Sequence, residues 1–284
     1  MTGFLVVDKP RGITSHQVTQ EVKKLLPRGL KVGHTGTLDP LATGLLILTV
    51  GKATRLSEYL LKKDKCYRVK GVFGLKSPTY DVDGEVERVE CRKVEREELL
   101  RALKKFRGEI EQKPPPFSAV RVKGKRAYQL AREGKEVELP KRKVRIDKLE
   151  LLSFNYPEFE LLVCCSSGTY VRSLIHDIGN EVGCPAVVKE LRRVKVGDIG
   201  EEMAVTLDEV KRRGVEELLI PPQELLGFPV LKLEEKELEA FKQGRSLKKE
   251  GLKAGLYSVL TKNGRFAGVG EVKGGSLLPR KVLL

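Results

Sequence analysis

Residues 33–44 read Gly33-His34-Thr35-Gly36-Thr37-Leu38-Asp39-Pro40-Leu41-Ala42-Thr43-Gly44, and Asp39 is the only acid among them. Glycine and threonine at this density favour a tight loop. The apolar run that follows at once, residues 45–48, predicts a core strand. The stretch therefore predicts a loop that presents a single carboxylate and then enters the core.

Two interpretations of Asp39 remain open from this pattern. An aspartate beside a proline is commonly an ordinary turn residue. Alternatively, a lone carboxylate mounted at the edge of a core strand can act as a nucleophile or a base. No second acid lies nearby, so the paired-carboxylate chemistry of glycosidases is not indicated.

Length and composition restrict the class of protein. A chain of 284 residues predicts one large domain, or a large domain with a small one, and 40% hydrophobic residues can form a core. The sequence contains no run of eighteen apolar residues, so we expect no transmembrane helix. The first residues lack the basic region of a signal peptide, so we expect a cytoplasmic protein.

Cysteine and histidine usage predicts neither disulfides nor metal. The five cysteines are odd in number, form no C-x-x-C motif and include one adjacent pair, which favours reduced packing residues. The three histidines are widely spaced, so we expect no zinc site. These residues are Cys66, Cys91, Cys164, Cys165 and Cys184, and His16, His34 and His176.

The positive charge favours a polyanionic partner. The formal net charge is +15, and residues 113–145 carry eleven Lys or Arg against three Glu, a net +8. A merely basic housekeeping protein is the alternative, but the concentration of charge in one segment argues for nucleic-acid binding.

Apolar periodicity and turn residues outline the elements. Strands and helices alternate, which indicates an α/β or α+β catalytic domain, and a boundary near Gly227-Phe228-Pro229 precedes a small β-rich module. The predicted strands are 5–7, 45–50, 67–73, 149–154, 159–165, 255–261 and 265–271; the predicted helices begin at Thr14 with stripe residues Val18, Val22, Leu25 and Leu26, and then cover 53–61, 95–106, 169–182 and 235–241.

Four further side chains are candidates for binding. His34 is either a loop histidine bonded to backbone or a group that holds substrate. Tyr67 is either an ordinary strand aromatic or a ring that stacks on a nucleobase. Tyr170 and Arg172 open a helix, where the helix dipole disfavours a cation, so a buried carboxylate is the natural partner of Arg172 unless its side chain is solvated.

Several motifs in order resemble one family. Together they cover residues 3 to 220 and resemble the TruB family of pseudouridine synthases. The motifs are Asp8-Lys9-Pro10-Arg11-Gly12-Ile13-Thr14-Ser15, the 33–44 loop, Cys66-Tyr67-Arg68-Val69, Pro115-Pro116-Phe117-Ser118-Ala119-Val120, Arg126-Ala127-Tyr128, Ala131-Arg132-Glu133-Gly134, Gly168-Thr169-Tyr170-Val171-Arg172-Ser173-Leu174 and Leu191-Arg192-Arg193.

The resemblance implies a fold and a domain division. The fold is α+β, with a central mixed, largely antiparallel sheet flanked by helices and a small C-terminal β-rich PUA-like domain. Residues 1–228 would form the catalytic domain, with the basic segment of about 113–145 as an RNA-binding insertion. Residues 229–284 would form the PUA-like RNA-binding domain.

The resemblance also implies an activity: isomerisation of uridine 55 in the T loop of tRNA to pseudouridine. Asp39 is then the catalytic carboxylate, Tyr67 stacks on the target uracil, and Arg172 pairs with Asp39. Tyr170 and Leu191 line the pocket, and His34 contacts the RNA near the flipped nucleotide. No cofactor or metal is expected.

The partner implied is the T-arm of tRNA, and neither a guide RNA nor a membrane is expected to take part. We expect a monomer, because nothing in the sequence requires a larger assembly. Guide-dependent catalysis and non-catalytic RNA binding are the alternatives.

One motif departs from the family pattern. Where the family has Thr-Asp-Thr-x-Asp-x-x-Gly, this chain has Ser77-Pro78-Thr79-Tyr80-Asp81-Val82-Asp83-Gly84, so Pro78 replaces an acid. The contacts of this loop therefore cannot be transferred from the family.

Overall fold

A computed structural model describes residues 1–118, 121–122, 125–134 and 138–284. Ala119 and Val120 of the proline-rich motif, and parts of the basic segment 113–145, lie outside the described residues.

The bounds of the elements follow the apolar pattern of the sequence. The strands are β1 Gly3–Lys9, β2 Val32–His34, β3 Thr43–Val50, β4 Lys65–Phe73, β5 Leu75–Lys76, β6 Glu87–Arg88, β7 Gly108–Gln112, β8 Arg121–Val122, β9 Lys125–Arg126, β10 Arg142–Asn155, β11 Glu158–Cys165, β12 Ala186–Val196, β13 Ile199–Gly200, β14 Val205–Thr206, β15 Val230–Leu233, β16 Leu247–Lys248, β17 Gly255–Thr261, β18 Phe266–Lys273 and β19 Ser276–Val282. The helices are α1 Ser15–Lys23, α2 Ser57–Leu61, α3 Arg96–Lys104, α4 Ala127–Arg132, α5 Val171–Val182, α6 Leu207–Arg213, α7 Val215–Leu218, α8 Pro222–Leu226 and α9 Glu235–Lys242, with 3₁₀ turns at Gly51–Leu56 and Glu201–Met203.

The chain forms two compact units. The first contains residues 1–39, 45–61 and 198–284, and the second contains residues 40–44 and 62–197. Asp39 is therefore the last residue of the first unit before the chain enters the second at Pro40. Among the described residues, no helix is both long and apolar enough to cross a membrane.

The second unit contains an antiparallel sheet in the order β12-β4-β11-β10-β7. The first residues of β3, Thr43 and Gly44, add to it in parallel with Arg192 and Arg193 of β12. Strand β11 alternates between buried and half-buried residues, as expected of a strand with one face on a core. Helix α5 buries Leu174, Ile175 and Ile178 and packs on β12.

The first unit contains β14, β1 and β3 in that order, with β2 antiparallel on β3. Nearly every residue of β1 and β3 is buried, as expected of strands covered on both faces. The same unit contains the C-terminal sheet, in the order β15-β17-β18-β19-β16. Its core includes Phe241 of α9 and Tyr257, Val259 and Leu277 of the strands.

The predicted elements are largely confirmed. Thr14 caps α1 through the predicted capping box with Gln17, Gly183 ends α5 with φ 76°, and β17 has the predicted bounds. One expectation was wrong: α1 ends at Lys23, so Leu25 lies beyond the helix and is 45% exposed. The helix predicted over 53–61 begins as a 3₁₀ turn.

The expectation that all cysteines are reduced was also wrong. The structure bonds Cys66 to Cys164 and Cys91 to Cys184, and leaves Cys165 buried and free. Cys66 and Cys164 lie directly opposite each other on β4 and β11. Spacing along the sequence does not show such a pairing, because strand register alone brings the two residues together.

Gly44 is required by the pairing of β3 with β12. Its φ is +102°, and a Cβ would lie 2.2 Å from the carbonyl oxygen of Arg193. Gly12 has a similar φ of +98°, but nothing lies within 4 Å of the place that a Cβ would take there. A side chain at either position would thus strain the backbone, but only at position 44 would it also clash with a neighbouring strand.

We expect Gly44→Ala to lower the free energy of unfolding by about 3 kcal/mol or more, because it adds a backbone clash to the left-handed strain. Gly12→Ala should cost only about 1 kcal/mol, the strain alone. Urea unfolding of both variants measures the difference, and equal losses would contradict the assigned role of Gly44.

Candidate active site

A hairpin mounts the loop that carries Asp39. Strand β2 pairs with β3, with His34 opposite Leu48. Thr35 continues the pairing, since its backbone N–H and its hydroxyl both donate to the carbonyl of Ile47 at 2.9 and 3.2 Å. The loop that follows therefore starts from a fixed position at the edge of the core.

Ser15 fixes the residue before Asp39. Its hydroxyl donates to the carbonyl of Leu38 at 2.9 Å and accepts from the Leu38 N–H at 2.8 Å. Ser15 is the first residue of α1 and is buried, as is the Leu38 side chain. One side chain thus satisfies both backbone groups of Leu38 and sets the direction in which the chain reaches Asp39.

Lys9 brings a buried cation to the same unit. Its ammonium donates to the carbonyls of Pro10 and Ile13 at 2.8 and 2.7 Å. Burial lowers the pKa of Lys9 to about 8, against an opposing effect of the Asp39 charge. Lys9 was present in the first motif but was given no role from sequence, because a lysine in a strand gives no sign of burial.

The remaining candidates lie in the second unit, two of them on one face of its sheet. Tyr67 of β4 is opposite Arg193 of β12, and Val69 is opposite Leu191. Residues directly opposite each other project to the same side, so Tyr67 and Leu191 are diagonal neighbours. Leu191 is buried and Tyr67 half-buried.

Tyr170 is the N-cap of α5 and is fixed by Gln112. The amide of Gln112 accepts from the Tyr170 N–H at 2.8 Å and donates to its carbonyl at 2.9 Å. The Tyr170 side chain packs against Ala127 and Leu139. Gln112 is almost fully buried and was missed from sequence, because its partner is 58 residues away.

Arg172 is buried in the first turn of α5. Its guanidinium donates to the backbone carbonyls of Thr79 at 2.9 Å and Phe117 at 3.0 Å. These contacts offset part of the cost of burying a cation where the helix dipole is unfavourable. The pairing of Arg172 with Asp39 stays a prediction.

The segment in which Pro78 departs from the family pattern forms a hydrogen-bonded turn. The Tyr80 N–H donates to the carbonyl of Ser77 at 3.1 Å, so residues 77–80 form a β-turn with Pro78 at its second position, where proline is favoured. The hydroxyl of Thr79 then donates to the Asp81 carboxylate at 2.7 Å. The turn holds the Thr79 carbonyl that Arg172 contacts.

These features define a class of protein. The chain is a basic α+β protein in which one carboxylate stands on a pinned loop, with a strand aromatic and a buried arginine in a second unit. This combination suits an enzyme with a single catalytic acid that acts on a polyanion.

Comparison with known proteins gives the family. Residues 23–171 match the TruB family pseudouridylate synthase N-terminal domain, 172–221 the tRNA pseudouridylate synthase B C-terminal domain, and 229–283 the Pseudouridine synthase II TruB C-terminal domain. The chain belongs to the TruB family of pseudouridine synthases, which are isomerases.

Two relatives illustrate the extent of the likeness. The tRNA pseudouridine synthase B of Aquifex aeolicus (strain VF5) is 45% identical, with 100% of both chains covered. That of Pseudomonas aeruginosa (strain UCBPP-PA14) is 42% identical over 100% of this chain and 96% of the relative.

Solved structures confirm the fold. A chain of an H/ACA RNP bound to a substrate RNA containing 2'-deoxyuridine matches with a TM-score of 0.72 and 26% identity, covering 99% of this chain and 85% of that one. A chain of the archaeal box H/ACA sRNP Nop10-Cbf5 complex matches with a TM-score of 0.70 and 26% identity, over 99% and 86%. The expected α+β fold with a C-terminal β-rich domain is thus confirmed.

We expect Ser15→Ala to slow pseudouridine formation by about tenfold or more, because the loop before Asp39 loses its anchor. It should also cost about 2 kcal/mol of unfolding free energy, since two backbone groups of Leu38 lose their partner. Single-turnover kinetics and urea unfolding test both effects.

Thr19→Val is the matched control for Ser15→Ala. Thr19 is also buried in α1, and its hydroxyl donates to the Ser15 carbonyl at 3.1 Å. It should lower stability while leaving the rate within about twofold, because the two hydrogen bonds between the Ser15 hydroxyl and Leu38 stay in place. A wild-type rate in Ser15→Ala would remove the anchoring role.

Proposed function

We propose that this chain is a stand-alone tRNA pseudouridine synthase that isomerises uridine 55 of the T loop, with Asp39 as its catalytic carboxylate. The observation that carries the proposal is the fixed backbone before Asp39, where the Ser15 hydroxyl bonds both the N–H and the carbonyl of Leu38. The names of the relatives, at 39–45% identity over nearly the full chain, support tRNA as substrate.

The reaction conserves all atoms of the nucleotide. The bond between uracil N1 and ribose C1′ breaks, the base rotates, C5 joins C1′, and the proton on C5 leaves while N1 gains one. Asp39 can attack ribose C1′, add to uracil C6, or remove the proton from ribose C2′. Each route requires a carboxylate held at a defined place, and the hydrogen bonds of Ser15 to Leu38 support that placement for Asp39.

The target base is stacked inside a folded loop and has to be extruded to reach a carboxylate. Tyr67 is proposed to stack on the uracil, a contact of about 1–3 kcal/mol on the general scale for bases on aromatic rings. Tyr170 and Leu191 are proposed to line the pocket, Arg172 to pair with Asp39, and His34 to contact the RNA beside the flipped nucleotide.

The division into a catalytic domain, 1–228, and an RNA-docking module, 229–284, stays part of the proposal. The net charge of +15 supports a protein that grips RNA phosphates, with residues 113–145 as the clamp. We place this activity in the cytoplasm and assign it to a monomer.

Guide-dependent catalysis is the second candidate, because the matched solved chains come from H/ACA particles. The greater identity to relatives named tRNA pseudouridine synthase B, 45% against 26%, favours the first candidate. Purified protein that modifies tRNA only after a guide RNA is added would decide for the second.

Asp39→Asn should reduce the release of tritium from tRNA labelled at uracil C5 by at least about 10³-fold, because the amide is neither a nucleophile nor a base. The affinity for tRNA should stay within about threefold, since the side chain is nearly isosteric. Asp208→Asn, an exposed change at the start of α6, is the control and should retain the full rate. Normal turnover by Asp39→Asn would refute the mechanism.

A groove in the first unit offers a docking surface for the RNA. Its volume is about 840 Å³, and four cations line it against one acid, Glu216. An excess of positive side chains along a groove favours phosphate binding. The cations are Lys31, Lys52, Arg55 and Arg265.

We expect the double variant Lys52→Glu, Arg265→Glu to weaken tRNA binding and to reduce the slope of log K against log salt by about two, one for each lost phosphate contact. The single-turnover rate at saturating tRNA should not change. Lys236→Glu, on α9 outside the groove, changes charge in the same unit and should leave the slope unaltered. Equal effects from both variants would argue against the groove.

A further inference from the structure

The turn of residues 77–80 contains a strained residue. Tyr80 has φ +64°, and it is the only non-glycine residue with positive φ among those described. Glycine or asparagine normally occupies this conformation, and a bulky side chain there costs free energy. Strain of this kind persists only where surrounding contacts enforce it.

The contacts that hold Tyr80 come from three directions. Its N–H donates to the Ser77 carbonyl at 3.1 Å, and its carbonyl accepts from the Val188 N–H at 2.9 Å. Its ring lies parallel to the His176 ring, with centroids 3.9 Å apart and planes 6° apart. Asn180, one turn further along α5, lies 3.3 Å from His176 Nε2 and orients that ring.

The stack is adjacent to the contact that orients Arg172. Thr79, whose carbonyl accepts from Arg172, directly precedes Tyr80. His176 follows Arg172 by four residues, so the two side chains lie on the same face of α5. Helix α5 therefore holds the turn at two successive points, one through Arg172 and one through His176.

We propose that Tyr80 and His176 are positioning residues for catalysis: their stack fixes the Thr79 carbonyl and thereby the direction of the Arg172 guanidinium. The inference rests on the proposed role of Arg172 beside Asp39. Burial lowers the pKa of His176 and raises that of Tyr80, so both rings are neutral at pH 7 and pack as uncharged surfaces.

The choice of side chain follows from this role. A turn that only had to close would carry glycine at position 80 and avoid the strain. Tyrosine retains the strain and gains the ring that contacts His176. The arrangement links the backbone at Thr79 to a rigid helix rather than leaving it to the loop alone.

The test separates position from stability. Tyr80→Gly removes the ring and relieves the backbone strain, and His176→Ala removes the other half of the stack. Each should lower the single-turnover rate of tritium release by about tenfold, with the Kd for tRNA within about twofold, because a misplaced group affects the reaction more than binding.

Conservative variants and a double variant complete the design. Tyr80→Phe and His176→Phe keep a ring and should retain the rate to within about threefold. The double variant Tyr80→Gly, His176→Ala should be no slower than the slower single variant, since both remove one interaction. Tyr59→Ala is the control, because it removes an aromatic contact with Phe228 within the first unit. It should keep the full rate even if the melting temperature falls.

Wild-type rates in both Tyr80→Gly and His176→Ala would overturn the inference, as would a loss confined to Kd. Arg172→Ala distinguishes this failure from failure of the proposed function. If Arg172→Ala is slow and the stack variants are not, only the positioning role falls. If wild-type protein releases no tritium from tRNA, the proposed function falls instead.

Discussion

The two hydrogen bonds between the Ser15 hydroxyl and the backbone of Leu38 are the constraint on which the site depends. They link the first turn of α1 to a loop that lies 23 residues further along the chain. Thr14 caps the helix, and this cap fixes the first turn, which contains Ser15. On the other side of the loop, Gly44 admits the close approach of the Arg193 backbone. Asp39 thus directly follows a residue whose backbone is fixed, and a carboxylate so held needs little reorganisation during a reaction.

Two of the buried cations, Lys9 and Arg172, are coordinated by backbone carbonyls. Lys9 donates to two carbonyls of the turn that follows β1, and Arg172 donates to two carbonyls from separate loops. Burying a charge is costly unless polar groups replace the lost water, and carbonyl oxygens do so without cancelling the net charge. The carbonyls therefore offset part of the cost of burying Lys9 and Arg172.

The sequence predicts features that depend on neighbouring residues, and it misses contacts that depend on how distant strands and loops come together. The capping box at Thr14, the strand from Tyr67 to Phe73 and the glycine end of α5 depend on neighbours in sequence, and the structure confirms them. The Gln112 contact with Tyr170 and the pairing of Cys66 with Cys164 depend on residues 58 and 98 positions apart, which no local pattern reports. The family motifs selected Asp39 and Arg172, but the roles of Ser15, Lys9 and Gln112 emerge only from the folded contacts.

An isomerisation that keeps every atom of its nucleotide places particular demands on its site. On the proposed mechanism, the uracil leaves the ribose, turns and returns through a different atom, so tight hydrogen bonds to the base edge would oppose the turn. A stacked ring such as Tyr67 permits rotation in its plane because its contact is spread over a face. Rigidity is then needed at the ribose end, where Asp39 acts. The reciprocal bonds at Leu38 and Tyr170 meet that demand, since they fix the backbone next to Asp39 and Arg172, the groups proposed to act.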